Sequence, residues 1–426
     1  MTGSDLPQPE KPDINKTIDH LFRHEAGKMV AVLTRLFGLP NLEQAEDIVQ
    51  DTMLKALESW KYGKIPDNPQ AWLYYAAKNK VVDVIRRKQV KYKIDNELSY
   101  LLKSEYSLVP AVNELFTENE IRDSQLRMMF ACCDSMFSIE AQIGLILNTL
   151  CGLSVKEIAD AFLTREETIR KRLYRTKEKL RHEKMLLDYP GVEAMPERMD
   201  AVMKTLYLLF NEGYHSSHPQ KLIREDLCAE AMRLAVLLTE NPKTDLPYSN
   251  ALLALMCFQS SRFNARMDEQ GRIILLKDQD RSQWNSLLIK KGNEYLFRAA
   301  AGEMIHEFHI EAAIASIHAN TACYEDTDWN GILRLYNQLL EMTSNPVVAL
   351  NRCLVIGETE GYRSAIVELE KMKGMEENCH YNASLGEMYF KNGDLQKAKP
   401  FFQKALSLTS SQAEKKLFIG KINSCK

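Results

Sequence analysis

Leu153-Ser154-Val155-Lys156-Glu157-Ile158-Ala159-Asp160-Ala161-Phe162-Leu163-Thr164-Arg165-Glu166-Glu167-Thr168-Ile169-Arg170-Lys171-Arg172-Leu173-Tyr174-Arg175 reads as two short helices joined by a tight turn. Gly152 and Leu153 precede Ser154, whose hydroxyl suits an N-cap. Ile158 and Ala159 are the expected buried positions of the first helix, and Ala159 is small where two helices must cross closely. Ile169 and Leu173 hold the second helix to it. The face left over carries Arg170, Lys171 and Arg175, with Arg172 beside them. A helix-turn-helix lays such a second helix in the major groove, where Arg and Lys read guanine edges or neutralise phosphates. A solvated helix in a bundle would also carry charges. The coincidence of cap, small crossing residue and basic face favours the DNA reading.

Around this segment the composition is that of an all-α protein of several domains. A length of 426 residues predicts two to four domains. A hydrophobic fraction of 45% with 27% charged residues excludes a largely disordered chain. No proline occurs from Ala111 to Tyr189 or from Tyr248 to Asn345, gaps that helices tolerate and strand-and-turn folds seldom do. No apolar run is long enough to span a membrane, and the first residues lack a secretory apolar stretch. The nine cysteines are scattered without a CxxC, which predicts reduced thiols in a cytoplasmic protein rather than disulfides or a zinc site.

The net charge of −3 hides a strong pattern. From Ala71 to Lys93 there are seven Lys/Arg against one acid, Asp83; from Arg165 to Lys184 there are nine against four. Between the two islands, Ile94–Glu120 carries six acids and only Lys103. In the first island, Trp72, Tyr74 and Tyr75 lead into Lys78, Asn79, Lys80, Arg86, Arg87 and Lys88 on one helix. Aromatic residues beside cations suit unstacked single-stranded bases as well as phosphates. Asp83 and Arg87, spaced i,i+4, are also placed to pair, and Trp72 at the helix start is a candidate core residue.

Helical periodicity predicts helices over residues 18–37, 42–62, 70–89, 124–137, 140–150, 154–162 and 166–184, with a weakly periodic linker over 94–120. From Met199 onward, helices follow one another with short breaks. Near the end, Gly361…Ala365 and Gly393…Ala398 recur, the second copy reading Leu385-Gly386-x-x-Tyr389…Gly393…Ala398-x-x-x-Phe402. That is close to the tetratricopeptide pattern, with a plain pair of helical hairpins as the alternative.

The two basic islands in this order resemble the sigma-70 family, specifically its small extracytoplasmic function type, over residues ~16–185. Ala45-Glu46-Asp47-Ile48-Val49-Gln50-Asp51-Thr52-Met53-Leu54-Lys55-Ala56 looks like region 2.2, which binds the clamp helices of core RNA polymerase. The resemblance implies polymerase contacts from Glu46, Asp47, Gln50, Asp51 and Lys55. Trp72-Leu73-x-x-Ala76-Ala77-Lys78-Asn79-x-x-x-Asp83-x-x-Arg86-Arg87 looks like regions 2.3–2.4, which melt and read the −10 element. It implies −10 contacts from Asn68, Trp72, Tyr75, Lys78, Asn79, Lys80, Arg86 and Arg87, with loop 62–69 capturing a flipped base. The helix-turn-helix looks like region 4.2 and implies −35 contacts from Arg165, Thr168, Arg170, Lys171, Arg172 and Arg175.

The chain continues well beyond such a minimal factor. The extension resembles a subgroup with a fused helical, tetratricopeptide-like domain, through Leu206–Tyr214, Asp278-Gln279-Asp280-Arg281-x-x-Trp284, Pro346–Arg352 and the paired Cys132-Cys133. The implied organisation is a tail over 1–15, region 2 over 16–92, an acidic linker over 93–122, region 4 over 123–188, a helical extension over 199–295 and tetratricopeptide-like repeats over 296–426. Such a fold is all-α: two small sigma domains followed by a larger helical one. Its implied partners are core RNA polymerase, promoter DNA, and a protein or ligand bound by the extension, with no membrane.

Other chemistry is disfavoured. Asp278-Gln279-Asp280-Arg281 reads as a salt-bridged turn leading to Trp284 rather than a metal site. His306-Glu307-Phe308-His309 lacks the i,i+4 histidine spacing of a zincin, and His318 reads as a packed or capping histidine. No nucleophile–base arrangement or phosphate loop stands out, so the expectation is no catalysis, no cofactor and no metal. The alternative function is a free-standing helix-turn-helix regulator with a helical sensor domain.

Overall fold

In the computed structural model, the described residues are 14–60, 65–88, 105–162, 164–182, 187–216 and 222–425. The fold is all-α: 76% of it is helical, and no strand occurs among the described residues. It divides into two compact units, one of residues 1–160 and 164–205, the other of 161–163 and 206–426.

The first unit is built from α1 (Ile14–Phe37), α2 (Leu42–Trp60), α3 (Pro69–Lys88), α4 (Glu105–Leu115), α5 (Glu118–Cys132), α6 (Ile139–Thr149), α7 (Val155–Ala161), α8 (Glu166–His182) and the start of α9 (Met195–Tyr214). α1 lies at its centre and packs on α2, α3, α5 and α6. Its Met29, Val32, Leu33 and Leu36 are fully buried, as the 3.6-residue period requires. Gly38, at a φ of 83°, and Pro40 end α1 and turn the chain into α2. At Gly27, α1 comes so close to the end of α6 that an added Cβ would stand 2.0 Å from the Leu150 carbonyl oxygen.

The expected linker contains ordered helix. α4 lies inside it, and α5 begins at Glu118 and ends at Cys132, both earlier than the periodicity predicts. Leu108, Ala111, Val112, Leu115 and Phe116 are buried, so the apolar side of this acidic stretch is core. Residues 93–104 of that linker, residues 1–13 of the expected tail, and 62–64 of the expected base-capturing loop lie outside the described residues.

α5 is fixed to α1 by charge. Arg35 contacts Glu120 at 2.7 Å and Asp123 at 3.0 Å, and Arg127 reaches Asp123 at 2.8 Å and also Asp188. The Tyr189 hydroxyl donates to Asp123 at 2.7 Å. Burial pushes the Asp123 carboxyl up, but the bonds from Tyr189 and Arg127 and the charges of Arg127 and Arg35 outweigh it and hold the pKa below the usual range.

After α9, the second unit continues through α10 (Glu225–Glu240), α11 (Pro247–Ser260), α12 (Ser286–Ala299), α13 (Glu307–Asn320), α14 (Trp329–Thr343), α15 (Pro346–Thr359), α16 (Tyr362–Glu370), α17 (Cys379–Lys391), α18 (Leu395–Leu408) and α19 (Gln412–Ser424). From α10 on, apart from short turns between α11 and α12, each helix packs on its neighbour in sequence. The two glycines of the sequence repeat have the same role. Gly361 and Gly393 take φ of 95° and 88° at the turns before α16 and α18. Ala365 and Ala398 that follow are fully buried, and Gly386 brings α17 against the Phe402 ring of α18.

Candidate nucleic-acid and polymerase interfaces

The α7–α8 pair has the local structure that its residues dictate. Gly152 supplies a φ of 65° before the turn into α7. Ser154 and Glu157 form a reciprocal box: the Ser154 amide donates to the Glu157 carboxylate at 2.8 Å, and the Glu157 amide donates to the Ser154 hydroxyl at 3.2 Å. Ile158, Ala159, Ile169 and Leu173 are buried, which leaves Arg165 exposed just ahead of α8, Thr168, Arg170, Lys171 and Arg175 exposed on it and Arg172 half-buried. Lys171 lies 2.7 Å from Glu167 and Arg170 3.8 Å from Glu166, exposed i,i+4 pairs that give way to a phosphate at little cost.

The far side of α8 faces α2. Lys177 donates to both Glu46 oxygens at 2.6 and 2.8 Å and to Asn148 at 2.9 Å, while Arg181 pairs with Glu43. Two cations counted in the second basic island are therefore held inside the unit. Glu46, expected at the polymerase surface, is held with them. The other expected polymerase contacts, Asp47, Gln50, Asp51 and Lys55, are exposed on α2 beside the exposed Leu54 and Leu57. Asp51 is also paired with Lys80 of α3.

On α3, Tyr75 is 66% exposed, with Asn79 and Arg86 also exposed and Asn68 exposed ahead of the helix. The Asn68 side chain accepts from the Ala71 amide at 2.9 Å and so caps the helix start. Trp72 is half-buried and meets Trp60 edge-on at 5.4 Å, so one face of it is core. Lys78 sits 5.8 Å from the Phe116 ring. Tyr74 points inward, donating to the buried Glu25 at 2.5 Å, and burial together with that carboxylate raises its pKa strongly. The Arg87 side chain lies outside the described residues, so its expected −10 contact and its pairing with Asp83 lie there too.

In the second unit, the motifs at 206–214 and 346–352 come to one cavity of about 500 Å³, which Tyr207, Tyr214, Arg262, Trp329, Val348 and Asn351 help to line, while the motif at 278–284 follows the lining residues Leu275, Leu276 and Lys277. The Tyr207 hydroxyl donates to Glu311 at 3.0 Å, and burial pushes the Glu311 carboxyl up to about 7. His318 is pushed down to about 4 by burial and by the charges of Arg262 and Arg281. The Gln259 side-chain oxygen and His318 Nδ1 in this wall are buried without a hydrogen-bond partner among the described residues. Asp280 caps a single 3-10 turn, and Arg281 donates to the His318 carbonyl at 2.6 Å and stacks 4.0 Å from the Trp284 ring. The expected salt bridge in that turn is thus replaced by a carbonyl contact and a ring. His306 and His309 cap the start of α13 reciprocally, consistent with a structural role.

All nine cysteines are free thiols. Burial pushes Cys132 up to about 12 and Cys133 higher, which makes both poor nucleophiles. No helix among the described residues is long and apolar enough to cross a membrane.

Comparison with known proteins follows the same division. Residues 21–90 match the family described as Sigma-70 region 2, and residues 198–300 match a family of unknown function, DUF6596. A Rhizobium meliloti relative, "Uncharacterized protein R00370", is 32% identical over 377 residues, 88% of each chain. The "ECF RNA polymerase sigma factor SigE" of Mycolicibacterium smegmatis is 28% identical over 163 residues, 38% of this chain and 60% of that protein. No solved structure matches.

Proposed function

We propose that this chain, which belongs to the sigma-70 family and to one family with the Rhizobium meliloti relative along most of its length, directs core RNA polymerase to promoters. The observation that carries the reading is α3, which lies within the region 2 match and turns Tyr75, Asn79 and Arg86 outward together. Exposed rings and cations on one helix suit strand-separated −10 bases. α2 offers core polymerase a mixed polar and apolar face of Asp47, Gln50, Asp51, Lys55 and Leu54. α7 and α8 act as a helix-turn-helix that places Arg165, Thr168, Arg170, Lys171, Arg172 and Arg175 at the −35 duplex. The chemistry of RNA synthesis belongs to the polymerase, and this chain supplies no catalysis. It works in the cytoplasm.

The test is pull-down with core polymerase followed by run-off transcription. Replacing Arg170 and Lys171 together by alanine removes two exposed cations and no core contact. Each contact contributes about 1–3 kcal/mol, so run-off from −35-dependent promoters should fall at least tenfold while core binding persists. Tight operator binding without core polymerase would overturn the reading in favour of a free-standing regulator.

The second unit serves as a tetratricopeptide-like regulatory domain. Its cavity, walled by aromatic rings and containing unmet buried polar atoms, is suited to receive the ligand or partner that sets activity. A chain ending after Tyr214 tests this. It keeps α9, whose Arg198 donates to the Phe130 carbonyl at 2.6 Å and whose Thr205 bonds Gln142 at 2.9 Å. Its run-off activity should differ from that of the full chain; equal activity removes the regulatory role.

A further inference from the structure

Outside the cavity, one cluster of side chains has no explanation in promoter recognition. His215 follows α9, His380 lies in the first turn of α17 and Glu414 in the first turn of α19. One ligand atom from each lies within 4.8 Å of the other two, and His215 Nε2 stands 3.3 Å from a Glu414 oxygen. The imidazole rings are tilted against each other at 5.3 Å.

Two features distinguish the cluster from an ordinary surface ion pair. The Glu414 carboxylate is nearly buried, and among the described residues its only ion-pair partner is His215. The carboxylate is also oriented from behind. The Thr409 hydroxyl donates to its other oxygen, the Ser411 amide holds the Thr409 hydroxyl at 3.0 Å, and the Ser411 hydroxyl caps the Glu414 amide at 3.4 Å. Outer hydrogen bonds of this kind fix the ligands of metal sites. Both histidines are exposed, which leaves a path for an ion and a coordination position for water.

We propose that His215, His380 and Glu414 bind a divalent transition-metal ion of the zinc class, joining the segment after α9 to the starts of α17 and α19. Two imidazole nitrogens and one carboxylate oxygen are borderline donors that suit Zn²⁺ or Co²⁺, with water as fourth ligand. Because the three residues are far apart in the sequence, the unfolded chain has no such site, and binding adds to the stability of the second unit.

Full-length protein stripped with a chelator is titrated with Zn²⁺ against a chromophoric competitor, and with Co²⁺ by visible absorption. The expected result is one ion per chain, a raised melting temperature and a Co²⁺ spectrum without the near-ultraviolet charge-transfer band of thiolates. His215→Ala, at an exposed position, and His380→Ala should each weaken binding by ~100-fold or more, and Thr409→Val, acting through Glu414, by ~10–100-fold. Absence of uptake at micromolar Zn²⁺, uptake unchanged in the His215→Ala/His380→Ala double variant, or a thiolate band would each overturn the assignment. Since the readout is metal content and stability, failure here leaves the promoter reading intact, and loss of core polymerase binding leaves this site intact.

Discussion

Gly27→Ala is expected to destabilise the first unit by ~3 kcal/mol or more. The new Cβ would stand 2.0 Å from the Leu150 carbonyl oxygen and 2.6 Å from its carbon. Both obstructing atoms are backbone, so no rotamer change relieves the contact, and α1 and the end of α6 must move apart. Leu150 lies just ahead of the Gly152 turn into α7, so the displacement also reaches the base of the α7–α8 pair. Gly144→Ala is the matched control. Its Cβ meets only the Leu173 side chain at 3.9 Å, and alanine favours helix by about 1 kcal/mol over glycine. Denaturant unfolding should therefore show a large loss for the first variant and no loss for the second. Similar midpoints for the two would refute the tight crossing.

Asp123→Ala should cost about 3 kcal/mol, because Arg35 and Arg127 are both nearly buried and each loses a carboxylate. The effect has a pH signature. The folded-state pKa of Asp123 is lowered, so its contribution is complete above the ordinary carboxylate value and is lost as pH falls through the folded one. The stability gap between the parent chain and Asp123→Ala should thus be constant from neutral pH to about 5 and close at lower pH. A gap independent of pH down to strong acid would mean that Asp123 acts by packing alone.

How much of this was legible in the sequence depended on the range of the interaction. Ser154, Ile158, Ala159, Ile169 and Leu173 could be placed because cap, crossing and core positions lie within one or two helical turns of each other. Gly361 and Gly393 could be placed because a repeat makes each the other's control. α4 was obscured by the acids of its segment: Leu108, Val112 and Leu115 carry the period, but the charge count dominates the reading. The capture of Glu46 by Lys177, and of Glu43 by Arg181, joins residues on separate helices with nothing local to announce it. His215, His380 and Glu414 were missed for the same reason, and the only signal in the sequence was that both histidines lie beside helix ends.

The inward pairing on α8 changes how that helix should respond to salt. Lys177 and Arg181 are already paired with Glu46 and Glu43, so if α8 binds a duplex as proposed, on its opposite face, these two neutralise no phosphates and displace none of the cations condensed on the DNA. The outward group, Arg165, Arg170, Lys171, Arg172 and Arg175, is the one placed to neutralise phosphates and so to displace those cations. The logarithm of DNA affinity should then fall with the logarithm of salt at a slope of about 0.9 for each of those contacts, well short of what the full basic island implies. Specificity held by few phosphate contacts survives moderate ionic strength better than specificity held by many, and the inward-paired cations of α8 determine which regime applies.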